Sequence, residues 1–180
     1  MIDYGLTNEI TPGDWLVEEG CPRTFQGRVP DAWADAEGRV RLGRGYFAIS
    51  AASANWFEYI GVGADFRART KGAMFAVHSR MDVDWRADLR PGEPIRVNSR
   101  LAAWDPKRFI HMQILTRQDD PAPVMIMQIL ALHFDTVARK TSPFPAEVAA
   151  RLTAVWSVHG GLPRPPLAGT EIAPLAMEGR

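Results

Sequence analysis

The chain has 180 residues, 46% of them hydrophobic, which is enough for one domain with a proper core and short for two. Acidic and basic residues balance at 21 each, so no global field would hold a polyanion, and nucleic acid is excluded as an expected partner. The single cysteine, Cys21, rules out an intrachain disulfide and a cysteine-based zinc cluster.

The first residues show no basic region followed by an apolar stretch, and no apolar run approaches the length of a membrane span. A cytoplasmic chain without a membrane partner is expected. Residues 1–21 carry several acids around a Pro12-Gly13 turn, show no strong period, and read as an arm. Thr24 to Val29 reads as a short strand closed by Pro30. A polar loop then leads through Asp35 to a helical run from Tyr46 to Ile60 in which Glu58 is the only formal charge. Such a helix must face protein over most of its surface. Ser50 to Ala54 are all small, which lets a sheet approach closely, and Gly61 supplies the left-handed residue with which helices commonly end.

From Phe75 to Trp85 mostly apolar positions alternate with Ala76, His78, Arg80, Asp82 and Asp84, a period of two that predicts a strand with His78 on its polar face. Turns at Arg90-Pro91-Gly92-Glu93, Asp105-Pro106-Lys107 and Asp119-Asp120-Pro121 separate three more strands, over 95–103, 109–117 and 124–135. The last is apolar on both faces and should be central in the sheet. Pro145 to Trp156 reads as a helix with Pro at its first turn, and 159–180 as a Pro- and Gly-rich tail. A long apolar helix followed by antiparallel strands predicts an α+β domain over 22–158, its sheet enclosing the helix.

Two short patterns add a family. Asp35-x-x-Gly38-x-Val40, with Ala51-Ala52-Ser53-x-Asn55 downstream at the matching distance, resembles the active-site signature of hotdog-fold acyl-CoA thioesterases of the 4-hydroxybenzoyl-CoA thioesterase-like group. The resemblance covers roughly residues 22–158. Many of that family carry His and Asn where this chain has Arg39 and Arg41, and an acid where it has Ser50. The resemblance implies the hotdog fold, hydrolysis of a coenzyme A thioester with no further cofactor, and a homodimer or higher homo-oligomer sharing its sites. A non-catalytic acyl-CoA-binding hotdog protein and, after it, a hotdog dehydratase or hydratase are the alternatives.

Asp35 is the leading catalytic candidate, since a carboxylate acts as general base toward water or attacks a thioester carbonyl directly. The competing role is a loop Asp that caps a turn. Gly43, Arg44 and Gly45 lie where the helix should begin, and backbone N–H groups there, Gly45 among them, would stabilise a developing oxyanion. Ser50 would assist a water; its neighbour one turn on, Ser53, reads as packing. Arg139 and Lys140, before Pro143-Phe144-Pro145, resemble the family's coenzyme A phosphate segment, with Arg108 beside Lys107 as a weaker candidate for the same work. His78, His111 and His133 have no ligand spacing, so no metal is expected, and they read as surface or interface residues.

Overall fold

In the computed structural model, which describes residues 5–13 and 15–165, tight turns join only the last three of the four expected strands, because the first of them does not pair with the second and residues 86–93 carry the chain across the sheet between them. The four are β3 (Met74–Trp85), β4 (Pro94–Asp105), β5 (Arg108–Arg117) and β6 (Asp120–Asp135), after β1 (Leu16–Glu18) and β2 (Cys21–Arg28) and before β7 (Lys140–Thr141). All seven form one antiparallel sheet in the order β1-β2-β4-β5-β6-β3, with β7 paired to β6. β6 lies between β5 and β3, as its two apolar faces predict.

The sheet curls around α1 (Leu42–Ile60), which ends on Gly61 in the left-handed conformation, φ +84°, with the Gly61 N–H donating to the Glu58 carbonyl. Ala48, Ile49 and Ala52 are fully buried against Phe25, Ile95, Val97, Leu115 and Ile129. Further along, Trp56 and Ile60 pack with Leu101, Phe109 and one face of α3 (Ala146–His159). Each such large side chain contributes about 1.5–3 kcal/mol through burial. A helix inside a curled antiparallel sheet is the hotdog arrangement.

The arm is tied to this body. Asn55 on α1 donates through Nδ2 to the carbonyls of Ile10 and Thr24, both at 3.0 Å. Ile10 is buried as a result. Residues 166–180 of the tail lie outside the described residues, whereas 160–165 follow α3 onto the sheet.

Three expectations need correction. The helix is less enclosed than its composition predicts: Ala52 and Ser53 are buried, but Ser50 and Ala54 are exposed, one helical turn apart beside half-buried Phe47. The sheet covers only one side of α1, and the uncovered stripe runs along the edge strand β3, whose Met81 and Val83 are 43% and 50% exposed. Second, a bulge between His78 and Arg80 inverts the face of β3, so His78 points inward and meets the Phe57 ring at 5.3 Å. Third, the histidines are not on the surface. His111 and His133 are fully buried, and His111 stacks on Trp56 at 5.8 Å. Sequence periodicity also did not indicate the short helix α2 (Ala64–Arg69), β1 or β7.

Candidate active site

Asp35 sits at the start of a tight loop that returns on itself just before α1. Its N–H donates to the Arg39 carbonyl at 2.8 Å, and Gly38 donates back to the Asp35 carbonyl at 3.0 Å. Gly38 has φ +74°, a conformation that glycine adopts without the strain a side chain would bring. The loop is anchored where Val40 turns its buried side chain inward, pairs with Ala34 and donates to the Leu89 carbonyl at 3.2 Å.

The Asp35 carboxylate closes the same loop. Oδ1 accepts from the backbone N–H of Arg39 at 2.8 Å and of Glu37 at 3.1 Å, while Oδ2 lies 3.9 Å from the Arg39 guanidinium. The Arg39 N–H chiefly, then the Glu37 N–H and the charges of Arg39 and Arg41, hold this carboxyl below the ordinary aspartate value of 3.8. Asp35 is therefore ionised at neutral pH. Its side chain keeps 18% of its surface exposed, with Oδ1 serving the turn and Oδ2 lying beside the Arg39 guanidinium.

α1 begins with Arg41 as its N-cap, without a side-chain cap and without an acid in the first turn. The Arg44 N–H donates to the Arg41 carbonyl at 2.8 Å, and no side chain takes the cap position over the N–H groups of Leu42 and Gly43 ahead of it, so the helix start is a positive end. Gly45 is buried in this first turn, and a Cβ there would come within 2.5 Å of Trp85 Cζ3. Glycine at this position therefore makes room for the indole of Trp85, which packs against the start of α1 from the end of β3. Sequence reasoning did not single out Trp85; its only signal was an aromatic residue at the last apolar position of an alternating strand.

The two helix serines have different surroundings. Ser50 is exposed on the uncovered stripe. Ser53 is buried, and in the orientation that satisfies both ends of Gln113, the Gln113 amide donates to the Ile49 carbonyl and accepts from the Ser53 hydroxyl, each at 2.9 Å.

The cationic candidates lie elsewhere. Arg139 occupies the β6–β7 turn with φ +54°, Lys140 opens β7, and both are exposed. Arg108 holds Asp105 Oδ2 through its Nε at 2.7 Å in the β4–β5 turn. The β4–β5 turn lies against the end of β6 and the segment after β7, since the Lys107 carbonyl accepts from the His133 N–H at 2.8 Å and the Pro106 carbonyl from the Phe144 N–H at 2.7 Å. They share the end of β6 where Asp135 pairs with Met74, whereas Gly45 and Trp85 share the end where Met125 pairs with Trp85. At about 3.3 Å per residue these ends are about 33 Å apart. One chain thus brings together Asp35, the α1 start and Trp85, and does not bring Arg139, Lys140 or Arg108 to them.

Among the described residues no group of three or more His, Cys, Asp or Glu side chains is placed to hold a metal ion, and no helix is long and apolar enough to cross a membrane. Residues 29–152 match the thioesterase-like superfamily, and the chain belongs to that family. It is 25% identical to the betainyl-CoA thioesterase of Pseudomonas aeruginosa over 79% of this chain and 88% of that protein. It is 28% identical to the L-carnitine dehydrogenase/betainyl-CoA thioesterase of Agrobacterium fabrum over 83% of this chain, a match spanning 30% of that longer protein. Among solved structures, a Staphylococcus aureus protein in complex with CoA superposes with a TM-score of 0.75 at 14% identity, covering 89% of this chain and 99% of that one.

Proposed function

We propose that the protein is an acyl-CoA thioesterase that hydrolyses a coenzyme A thioester to a carboxylic acid and free CoA, with Asp35 as its base or nucleophile. The observation that carries this reading is an ionised, partly exposed carboxylate in the loop just ahead of a helix N-terminus without a side-chain cap, in a chain of the thioesterase-like superfamily. A thioester carbonyl oxygen directed at the first amides of α1 would find donors and a positive dipole for its developing charge. A depressed pKa weakens Asp35 as a base but keeps it charged, which favours direct attack. The carboxylate oxygen would bond to the carbonyl carbon, the C–S bond would break, and the departing thiolate would take a proton from water. A water would then cleave the acyl–aspartyl anhydride. Ser50, exposed on the same helix, would help hold that water.

Relatives named for betainyl-CoA make that thioester the first substrate to try. Arg39, Arg41 and Arg44 are all exposed around the loop and first turn, where they repel a cationic acyl group and attract CoA phosphates. Neutral and anionic acyl-CoAs therefore belong beside it, with thiol release as the readout. The alternative, binding without turnover, draws on the use of Asp35 Oδ1 to close its own turn.

The reading includes a cytoplasmic homodimer. Among the described residues, edge strand β3 pairs only with β6, its Met81 and Val83 are exposed, and the exposed stripe of α1 lies next to it. Antiparallel pairing of two β3 edges would lay the Met74 end of one copy beside the Trp85 end of the other. The partner subunit's Arg139 and Lys140 would then serve the site that begins at Asp35.

A further inference from the structure

Trp85 stands between the Asp35 loop and an apolar groove. Four residues after it, the Leu89 carbonyl accepts from the Val40 N–H at 3.2 Å, which ties that loop to the end of β3. The half-buried indole lies on the first turn of α1, with Cζ3 and Cη2 at 2.5 and 2.9 Å from where a Cβ on Gly45 would stand.

The groove runs from there along β3, because α1 packs chiefly on β2, β4 and β5. Exposed Met81 and Val83 share the face of Trp85: the three pair with Ile129, Met127 and Met125, which belong to the core under α1. On the helix side Tyr46, Ser50 and Phe57 stand at i, i+4 and i+11, which the helical period places on one face. Phe57 meets the His78 ring at 5.3 Å and closes the far end. From Tyr46 to Phe57 the helix rises about 16 Å, room for an acyl chain and not only for acetyl.

Neither wall gives the groove a carboxylate. Glu58, the one acid of α1, turns away to accept from the Ala64 N–H through Oε1. Asp82 and Asp84 pair with Gln128 and Ile126, on the other face of the sheet, and hold Arg80 and Arg86. The Phe47 ring, on the exposed stripe of α1, carries the Arg44 guanidinium at 5.7 Å, a place that a quaternary ammonium group would seek. A cationic acyl group would therefore lose water, gain no counterion from either wall and meet Arg44. A second copy placed along β3 would bring the same two faces, which add no acid.

We propose that Trp85 is the specificity-determining residue of the site and that the acyl group passing it is uncharged and apolar, so that a medium-chain aliphatic acyl-CoA is a better substrate than betainyl-CoA. The inference rests on the thioesterase reading, since it takes the thioester carbonyl to lie at the start of α1. A chain attached there leaves along the indole and continues over Val83 and Met81.

Thiol release from acetyl-, octanoyl- and betainyl-CoA would be compared for the full-length wild type and Trp85→Ala. Calorimetry on the same proteins would compare two unreactive CoA thioethers, one octyl and one trimethylammonioethyl. In the wild type kcat/KM should favour octanoyl- over betainyl-CoA on the order of a hundredfold, with the thioether affinities in the same order. Trp85→Ala should lower the octanoyl value on the order of tenfold and leave the acetyl value about unchanged, because only the longer chain spans the indole. Trp85→Leu keeps apolar packing on α1 and carries the same test should the alanine variant fail to fold. Damage to the helix start would lower both acyl-CoAs alike, so an unchanged octanoyl-to-acetyl ratio would overturn the role of Trp85. Betainyl-CoA hydrolysed as well as octanoyl-CoA, or equal affinity for the two thioethers, would overturn the substrate class. Octyl preference that depends on Trp85, without thiol release from any acyl-CoA, would support the acyl preference and sink the thioesterase reading instead.

Discussion

Asp35 accepts a 2.8 Å hydrogen bond from the backbone N–H of Arg39, four residues along the same loop, so the proposed nucleophile is held by its own turn. A carboxylate stabilised in this way stays charged to lower pH. The acid limb of kcat/KM should fall below the ordinary aspartate value of 3.8, provided the fold survives. The same depressed pKa contributes stability that is present above the unfolded value and is lost as pH falls through the folded one. Arg39→Gln keeps the N–H and removes the guanidinium, so it should move the acid limb upward only slightly. A large shift would give the side chain more weight than the backbone.

Val83 on the free edge should decide assembly. Val83→Arg places a charge on the apolar edge proposed to meet a second copy and should convert a sedimenting dimer to monomer. If the partner subunit's Arg139 and Lys140 complete the site, Arg139→Ala with Lys140→Ala should raise KM for acyl-CoA more than it lowers kcat, and the Val83 variant should show the same rise. A monomeric Val83 variant with unaltered KM would place phosphate recognition within one chain.

Gly45→Ala should cost about 1–3 kcal/mol of stability, because the new Cβ meets the Trp85 indole at 2.5 Å. Adding Trp85→Leu removes the ring carbons involved and should restore most of the loss in thermal unfolding. Absence of rescue would mean that Gly45 is constrained by something other than Trp85.

His111 gives the fold a pH dependence. Full burial, with a smaller effect of His78, lowers its pKa well below 6.5, and neither ring nitrogen has a hydrogen-bond partner among the described residues. The unfolded chain then binds the proton more tightly, so stability falls as pH drops below 6.5, by at most about 1.4 kcal/mol per pH unit for one such group. His111→Phe keeps an aromatic ring against Trp56 and should flatten the stability profile between pH 7.5 and pH 5, as measured by denaturant unfolding. An unchanged slope would assign it to other groups.

The legible parts of this chain were those that depend on local pattern. Alternation located β3 and β4, turn residues bounded β5 and β6, and the acid-glycine-valine spacing located the Asp35 loop. The face of His78 was misread because one extra residue at the β3 bulge reverses everything before it. His111 looked superficial because β5 is covered on both sides, so its alternation carries no contrast between a wet face and a dry one. The role of Gly45 depends on register: only pairing of Trp85 with Met125 brings the indole to the helix start. The separation of Arg139 and Lys140 from Asp35 is likewise a property of strand direction, which residue spacing does not encode.

Thiol release from acyl-CoAs by the wild-type protein and by Asp35→Asn tests the central claim most directly. The substitution preserves shape and leaves an amide oxygen for the turn, while removing the charge that attacks the thioester or activates water. The account predicts that kcat falls by about two to four orders of magnitude with acyl-CoA binding and thermal stability retained. An Asp35→Asn protein that hydrolyses the same acyl-CoAs at the wild-type rate would contradict it, leaving Asp35 as the cap of its own loop.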